Sequence, residues 1–256
     1  MMLEDMFGRM PVWLFVFVRT AGFFAFSPLF SRKNIPSVVR AGLVFVMTSL
    51  VAPGTVLSHS ISSATEFMFL LLKELFAGFV CGMVFRLFYF MLFFTGDLMD
   101  TQFGISMAKV FDPGTNIQAS VSGNLLNILF ILYIFATDSH LILIRIFAES
   151  FKAIPIGSVI ISPKASEFIV HVFIGVFTLA MKLAMPFVAA EFVLEVAMGI
   201  LMKLIPQIHV FVINIQFKIL LGILLLFAFA NPVSGFMEKF IRLMLENIQR
   251  AFSVMV

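Results

Sequence analysis

Two apolar runs that meet at a short polar joint, Ile205-Pro206-Gln207, constrain this chain more than any other feature. The stretch from Glu191 to Phe229 reads EFVLEVAMGILMKLIPQIHVFVINIQFKILLGILLLFAF. Lys203, Pro206, Gln207 and His209 cluster at the joint, where an uninterrupted membrane helix would carry no such group. Glu195 lies 11 residues before Pro206, and Lys218 lies 12 after it. At about 1.5 Å of rise per residue, an antiparallel hairpin brings these two side chains to nearly the same depth. A carboxylate and an ammonium in apolar surroundings each cost several kcal/mol unless they are paired or face a polar cavity. The stretch therefore reads as a helical hairpin tied internally by Glu195 and Lys218.

The remaining runs extend this pattern to the whole chain. They span Pro11 to Phe26, Ser37 to Val51, Glu66 to Phe94, Leu125 to Thr137 with an amphipathic continuation to Phe151, and Glu167 to Leu204 with Pro186 inside. The chain is 61% hydrophobic and 12% charged, with a mean hydropathy of +1.11, against roughly 45–50% and 25% in soluble domains. It reads as an all-α, polytopic membrane-protein-like chain of kinked helical hairpins, or one made almost wholly of buried helices. A scattered net charge of +3 gives no basis for nucleic-acid binding. The lone Cys81 excludes a disulfide framework or a cysteine metal site. Glu4 and Asp5 stand where a signal peptide carries positive charge, so the first segment is expected to be retained. Against 35 Phe there are only one Trp and two Tyr. Lipid-facing helices usually place Trp and Tyr at the headgroup level. The scarcity fits either a surface that meets protein or simple compositional drift.

Charges recur inside the apolar runs. Arg19 interrupts the first, and Lys73, Glu74 and Arg86 the third, beside Gly78 and Gly82 at a small-xxx-small spacing that lets helices approach closely. Ser63 or Thr65 is placed to cap the third run. Lys182 precedes Pro186, and Glu191 and Glu195 follow it at i, i+4 spacing on one face. The pattern breaks from Thr95 to Asn124, a stretch holding Asp97, Asp100, Gln102, Lys109, Asp112 and several glycines, with a strong turn signal at Asp112-Pro113-Gly114. A flexible or pore-lining loop is expected there. A metal or general-base site on Asp97 and Asp100 is the lesser alternative, because no His or Cys completes a ligand set. The tail from Gly235 is amphipathic, with Phe236, Phe240, Leu243, Met244, Ile248 and Phe252 at helical spacing, and is expected to lie on a partner or on the membrane surface. The basic segment 31–40 and the joint at Lys203 fall on one side if every run crosses, which the positive-inside rule makes cytoplasmic. A small-molecule transporter would carry internal repeats with interrupted helices at matching positions, and no convincing repeat is found.

Several ordered motifs resemble the family of the flagellar biosynthetic protein FliR and its injectisome counterpart SctT, export-gate subunits of type III secretion systems. The hairpin carries Glu195-Val196, Gly199, Lys203, Pro206-Gln207, Val210-Phe211, Lys218 and Gly222. Arg19, Pro28-Leu29-Phe30, Ile35-Pro36 and Arg40 are similar to the family's first hairpin, and Glu74, Gly78 and Gly82 to its second. Gly96, Asp100, Gln102, Gly104, Met107, Asp112-Pro113 and Gly114 are similar to its central loop. The likeness covers nearly the whole chain in order.

The resemblance implies a FliP-like helical part over 1–165 with a central loop at 95–124, a FliQ-like hairpin over 166–230, and an amphipathic tail over 231–256. It implies a non-catalytic subunit without cofactors, present as one copy in a gate with FliP and FliQ. FlhB lies at the cytoplasmic face and unfolded export substrates pass through the channel. The location implied is the bacterial inner membrane at the flagellar basal body, largely outside the bilayer plane once assembled. Gly104, Met107, Asp112, Pro113 and Gly114 then belong to the channel plug. Arg19, Glu74, Arg86, Glu191, Glu195 and Lys218 become assembly contacts or intrachain pairs, and Lys203, Pro206, Gln207 and His209 the contact for a cytoplasmic partner. An injectisome gate subunit is the nearest alternative function.

Overall fold

A computed structural model describes residues 10–28, 30, 35–57, 63–106, 120–160, 163–205 and 210–255. These form eight α-helices: α1 (Met10–Phe26), α2 (Ser37–Val51), α3 (Ala64–Gln102), α4 (Val121–Ala136), α5 (Ser139–Ala153), α6 (Pro163–Leu204), α7 (Val210–Ala228) and α8 (Ala230–Ser253). A short 3-10 turn, Ala52–Gly54, follows α2. Extended pairing among the described residues is limited to one bridge, Leu57 with Ile156. The expected all-α class holds. Among the described residues three segments, Ser37–Gly54, Ala64–Gln102 and Pro163–Leu204, are long and apolar enough to cross a membrane, or up to five if the bent pairs α4–α5 and α7–α8 each make one span. With 39 and 42 residues, α3 and α6 extend to roughly 58 and 63 Å at ~1.5 Å per residue. Both exceed a bilayer core of ~30 Å.

The chain divides into two compact units, Met1–Phe88 with Asp138–Phe173 and Arg242–Val256, and Tyr89–Thr137 with Ile174–Ile241. In the first unit α1 and α3 cross almost backbone to backbone. A Cβ at Gly78 would collide with the Arg19 carbonyl, and one at Gly82 would lie 2.9 Å from the Phe23 carbonyl oxygen. This is the close approach that the glycine spacing predicts. Ser63 Oγ accepts from Thr65 N–H at 3.3 Å at the start of α3, one of the two capping residues expected there.

The first unit is closed by residues of α8. Phe147 on α5 stacks on Phe23 of α1, with centroids 4.7 Å apart, and meets Phe252 of α8 at 6.5 Å. The Ile160 N–H donates to the Met255 carbonyl at 3.0 Å. Phe240, Met244, Ile248 and Phe252 are all buried within the chain. The tail therefore does not lay its apolar stripe on a partner or a membrane surface. The chain's own interior takes up that stripe and removes the driving force for an external partner.

In the second unit α3 continues as helix well past Thr95, where the sequence reading placed the start of the loop. The hydroxyls of Thr95 and Thr101 donate to Met91 O at 2.7 Å and to Asp97 O at 2.8 Å, so the polar residues stay within the helix. The next helix begins at Val121 rather than Leu125, with Ser120 as its N-cap; the Gly123 N–H donates to Ser120 Oγ at 2.8 Å. A Cβ at Gly96 would strike the Gly123 backbone, so α3 and α4 touch at these two glycines. The excursion between the helices is correspondingly shorter than the 95–124 stretch read from sequence.

Candidate functional site

The site is built on the hairpin of α6 and α7. Phe187, Glu191 and Glu195 recur one turn apart on α6, and Lys218 and Gly222 one turn apart on α7. Lys218 Nζ donates to Glu195 Oε1, the tie expected from their nearly equal distances to the joint. The Lys218 side chain is 13% exposed and that of Glu195 49%, so the pair lies at the edge of the buried zone. Around it α6 presents Phe192, Val193, Val196 and Ile200 outward, and α7 presents Leu220, Ile223 and Leu224. A carboxylate on such an apolar surface needs its ammonium partner. Glu191, one turn earlier, is wholly buried, and neither carboxyl oxygen receives a hydrogen bond. Lys218 and Glu195 are the charged groups close enough to act on it.

The end of α3 docks on this hairpin. The Phe103 N–H donates to Met99 O at 2.9 Å, completing the last helical turn, and its fully buried ring meets Phe187 edge-on with centroids 5.9 Å apart. The same ring lies on Gly222, where a Cβ would come within 2.6 Å of it. Phe187 also meets Phe229, at 5.2 Å. Gly104 then turns the chain out of the helix with φ +72°, a conformation that favours glycine, and a Cβ there would lie 4.0 Å from the stem of Lys218.

Where the chain returns, Asp100 holds it. Its buried carboxylate accepts from Ser120 Oγ at 2.7 Å, Val121 N at 2.6 Å and Ser122 N at 3.1 Å. Asp100 thus caps a helix other than its own, where a negative charge complements the exposed N–H groups and the helix dipole. Its oxygens are committed to these donors, which counts against the metal or general-base alternative for Asp97 and Asp100.

In the first unit Arg19 and Glu74 pair with each other. Arg19 Nε lies 2.5 Å from Glu74 Oε2 with both side chains fully buried. The guanidinium also donates to Ile154 O at 3.1 Å and stands 4.3 Å from the Phe151 ring centroid. Glu74 Oε1 accepts from the Gly157 N–H at 3.1 Å.

The structure thus brings Gly104, Glu191, Glu195 and Lys218 together in the second unit and pairs Arg19 with Glu74 in the first. Arg86 is exposed on α3, and Lys203 is exposed near the end of α6. Met107, Asp112, Pro113, Gly114, Pro206, Gln207 and His209 lie outside the described residues. The sequence reading of the site missed Phe103 and Ser120, and named Gly222 only as a motif residue without a role. The available signals were a glycine one turn beyond Lys218, an aromatic immediately before a helix-ending glycine, and a serine three residues ahead of Gly123.

The sequence matches the family described as "Bacterial export proteins, family 1" over residues 10–244. It is 26% identical to the flagellar biosynthetic protein FliR of Bacillus subtilis over 98% of both chains. It is 28% identical to the FliR of Pectobacterium carotovorum over 87% of this chain and 85% of that one. It is also 25% identical to the Yop proteins translocation protein T of Yersinia pestis over 99% of both. With that match, and described residues that form long apolar helices, the chain belongs to the bacterial export proteins of family 1.

Proposed function

We propose that this chain is a non-catalytic structural and gating subunit of the flagellar type III protein export channel, needed to export flagellar proteins and build the flagellum. The observation that carries the reading is the family match over residues 10–244, with flagellar relatives aligned over almost the whole chain. Family likeness supplies the finer parts. One copy of the chain joins FliP and FliQ, with 1–165 as the FliP-like part and 166–230 as the FliQ-like hairpin. FlhB meets the cytoplasmic face around Lys203, Pro206, Gln207 and His209. Unfolded substrates pass a plug that includes Gly104, Met107, Asp112, Pro113 and Gly114. The complex sits in the inner membrane at the basal body, largely out of the bilayer plane. Asp100 and Phe103 support the plug assignment, because they hold the departing and returning backbone on the second unit.

Co-expression with FliP and FliQ tests the assignment. The chain should purify in one large stable complex, and deleting Gly104–Gly114 should make that complex leaky to small ions in vesicles. A free monomer that transports a solute would overturn the gate reading. A deletion complex that assembles normally and stays tight would overturn the plug. The injectisome reading is kept because the Yersinia relative aligns over 99% of both chains. Rescue of secretion in an injectisome mutant, without rescue of motility in a flagellar one, would favour it.

A further inference from the structure

The sequence motifs and the family likeness place function in the loop and in the hairpin, but neither says how the two are joined. Within the second unit one side chain makes that joint. Phe103 is the last residue whose N–H completes the α3 ladder, and Gly104, directly after it, leaves the helix at φ +72°. The Phe103 ring is fully buried and occupies the space that the missing side chain of Gly222 leaves on α7, with Phe187 of α6 against its edge. The ring thus touches both arms of the hairpin. A side chain at Gly104 would come within 4.0 Å of the Lys218 stem, whose ammonium is tied to Glu195 on the opposite arm. The return of the chain has a separate mooring, the Asp100 carboxylate on Ser120, Val121 and Ser122. One end of the excursion is therefore keyed to the hairpin and the other to α3 itself.

We propose that Phe103 is a positioning residue of the gate: its ring, seated on Gly222 between α6 and α7, sets where the plug-bearing loop leaves the second unit and couples that point to the hairpin. The proposal rests on the gate reading above. Packed interiors do not deform continuously, so a ring held between both arms of the hairpin passes a displacement of α7 to the backbone at Gly104 instead of absorbing it. A methyl group at 222 has no room beside this ring, and the ring has no exposed surface along which to swing.

The test uses the chain within its complex with FliP and FliQ, in vesicles, with Gly222→Ala, Phe103→Leu and the two combined. Leak of small ions is measured per assembled complex, beside complex yield and melting temperature. Gly222→Ala should raise the leak several-fold, and Phe103→Leu on that background should return it toward the parent value by removing the ring carbons that the new methyl meets. A purely structural role would move yield and melting temperature without this allele-specific suppression of the leak. The proposal is overturned if Gly222→Ala complexes form normally and stay tight. It is equally overturned if Gly222→Ala harms assembly or tightness and Phe103→Leu restores neither. The Gly104–Gly114 deletion separates the two levels. If that complex assembles and stays tight, the plug reading falls. If it leaks while Gly222→Ala does not, only the positioning role falls.

Discussion

Arg19 and Glu74, 55 positions apart in the chain, meet at 2.5 Å with no part of either side chain exposed. Both are saturated by further groups, Arg19 by the Ile154 carbonyl and the Phe151 ring and Glu74 by the Gly157 N–H. Removing one member of such a pair strands a buried charge, at a cost of about 3–5 kcal/mol. Arg19→Met and Glu74→Gln should each lower the melting temperature of the detergent-purified complex sharply. The double variant should recover part of the loss, because it leaves no lone charge behind. A double variant as unstable as the sum of the singles would show that the pair does not act as a unit.

Glu195 and Lys218 form the hairpin's own tie, and they are more accessible than Arg19 and Glu74. Charge reversal at either position places two like charges together on an apolar face. Each single reversal should reduce incorporation into the FliP–FliQ complex, and the double swap should partly restore it. Quantifying the assembled complex from membranes checks this, and an absence of rescue would refute the pairing.

Asp100 offers a separable prediction. Asp100→Asn keeps one acceptor oxygen but removes the negative charge from the start of α4, a loss of roughly 1–2 kcal/mol. Asp100→Ala also strands the buried donors of Ser120 and Ser122 and should cost about 1–3 kcal/mol more. Ranked melting temperatures, parent above Asn above Ala, are the expected result. Equal values for all three would remove Asp100 as the anchor of α4.

Glu191 inverts the usual expectation for a buried acidic residue. Its carboxyl oxygens receive no hydrogen bond, so the attraction of nearby Lys218 is set against a burial cost that no hydrogen bond offsets. Glu191→Leu should leave the melting temperature of the isolated chain unchanged or raise it, by the equivalent of about 1–3 kcal/mol. Glu74→Leu in the same assay should lower it. A Glu191→Leu chain as destabilised as Glu74→Leu would mean that Glu191 has a partner after all.

The sequence was most legible where a single physical rule was decisive. The Glu195–Lys218 tie followed from helical rise and the cost of lone charges, and a close helix approach at Gly78 and Gly82 from their spacing, though not which helix would lie there. The loop limits were misjudged because polarity was taken as the end of a helix. Thr95 and Thr101 satisfy their hydroxyls on the preceding turn and cost the helix little. Asp100 resembled half of an acidic site because its donors come from 20 or more positions away, at Ser120 to Ser122. Phe103 was hidden among 35 phenylalanines, where only the three-dimensional fit to Gly222 sets it apart. The tail's amphipathicity was read correctly, but periodicity does not say whether the face it calls for belongs to a partner or to the same chain.

That tail also bears on biosynthesis. The first unit draws on residues from Met10 onward, yet Phe252 and Met255 complete its interior through Phe147 and the Ile160 N–H. On the ribosome this unit cannot finish folding until Met255 has emerged, whereas every residue of the second unit has been made by Ile241. The order of maturation thus runs against the order of synthesis: helices translated early wait for residues of α8. A chain shortened at its C-terminus would expose the nascent N-terminal helices to quality control rather than lose a dispensable appendage.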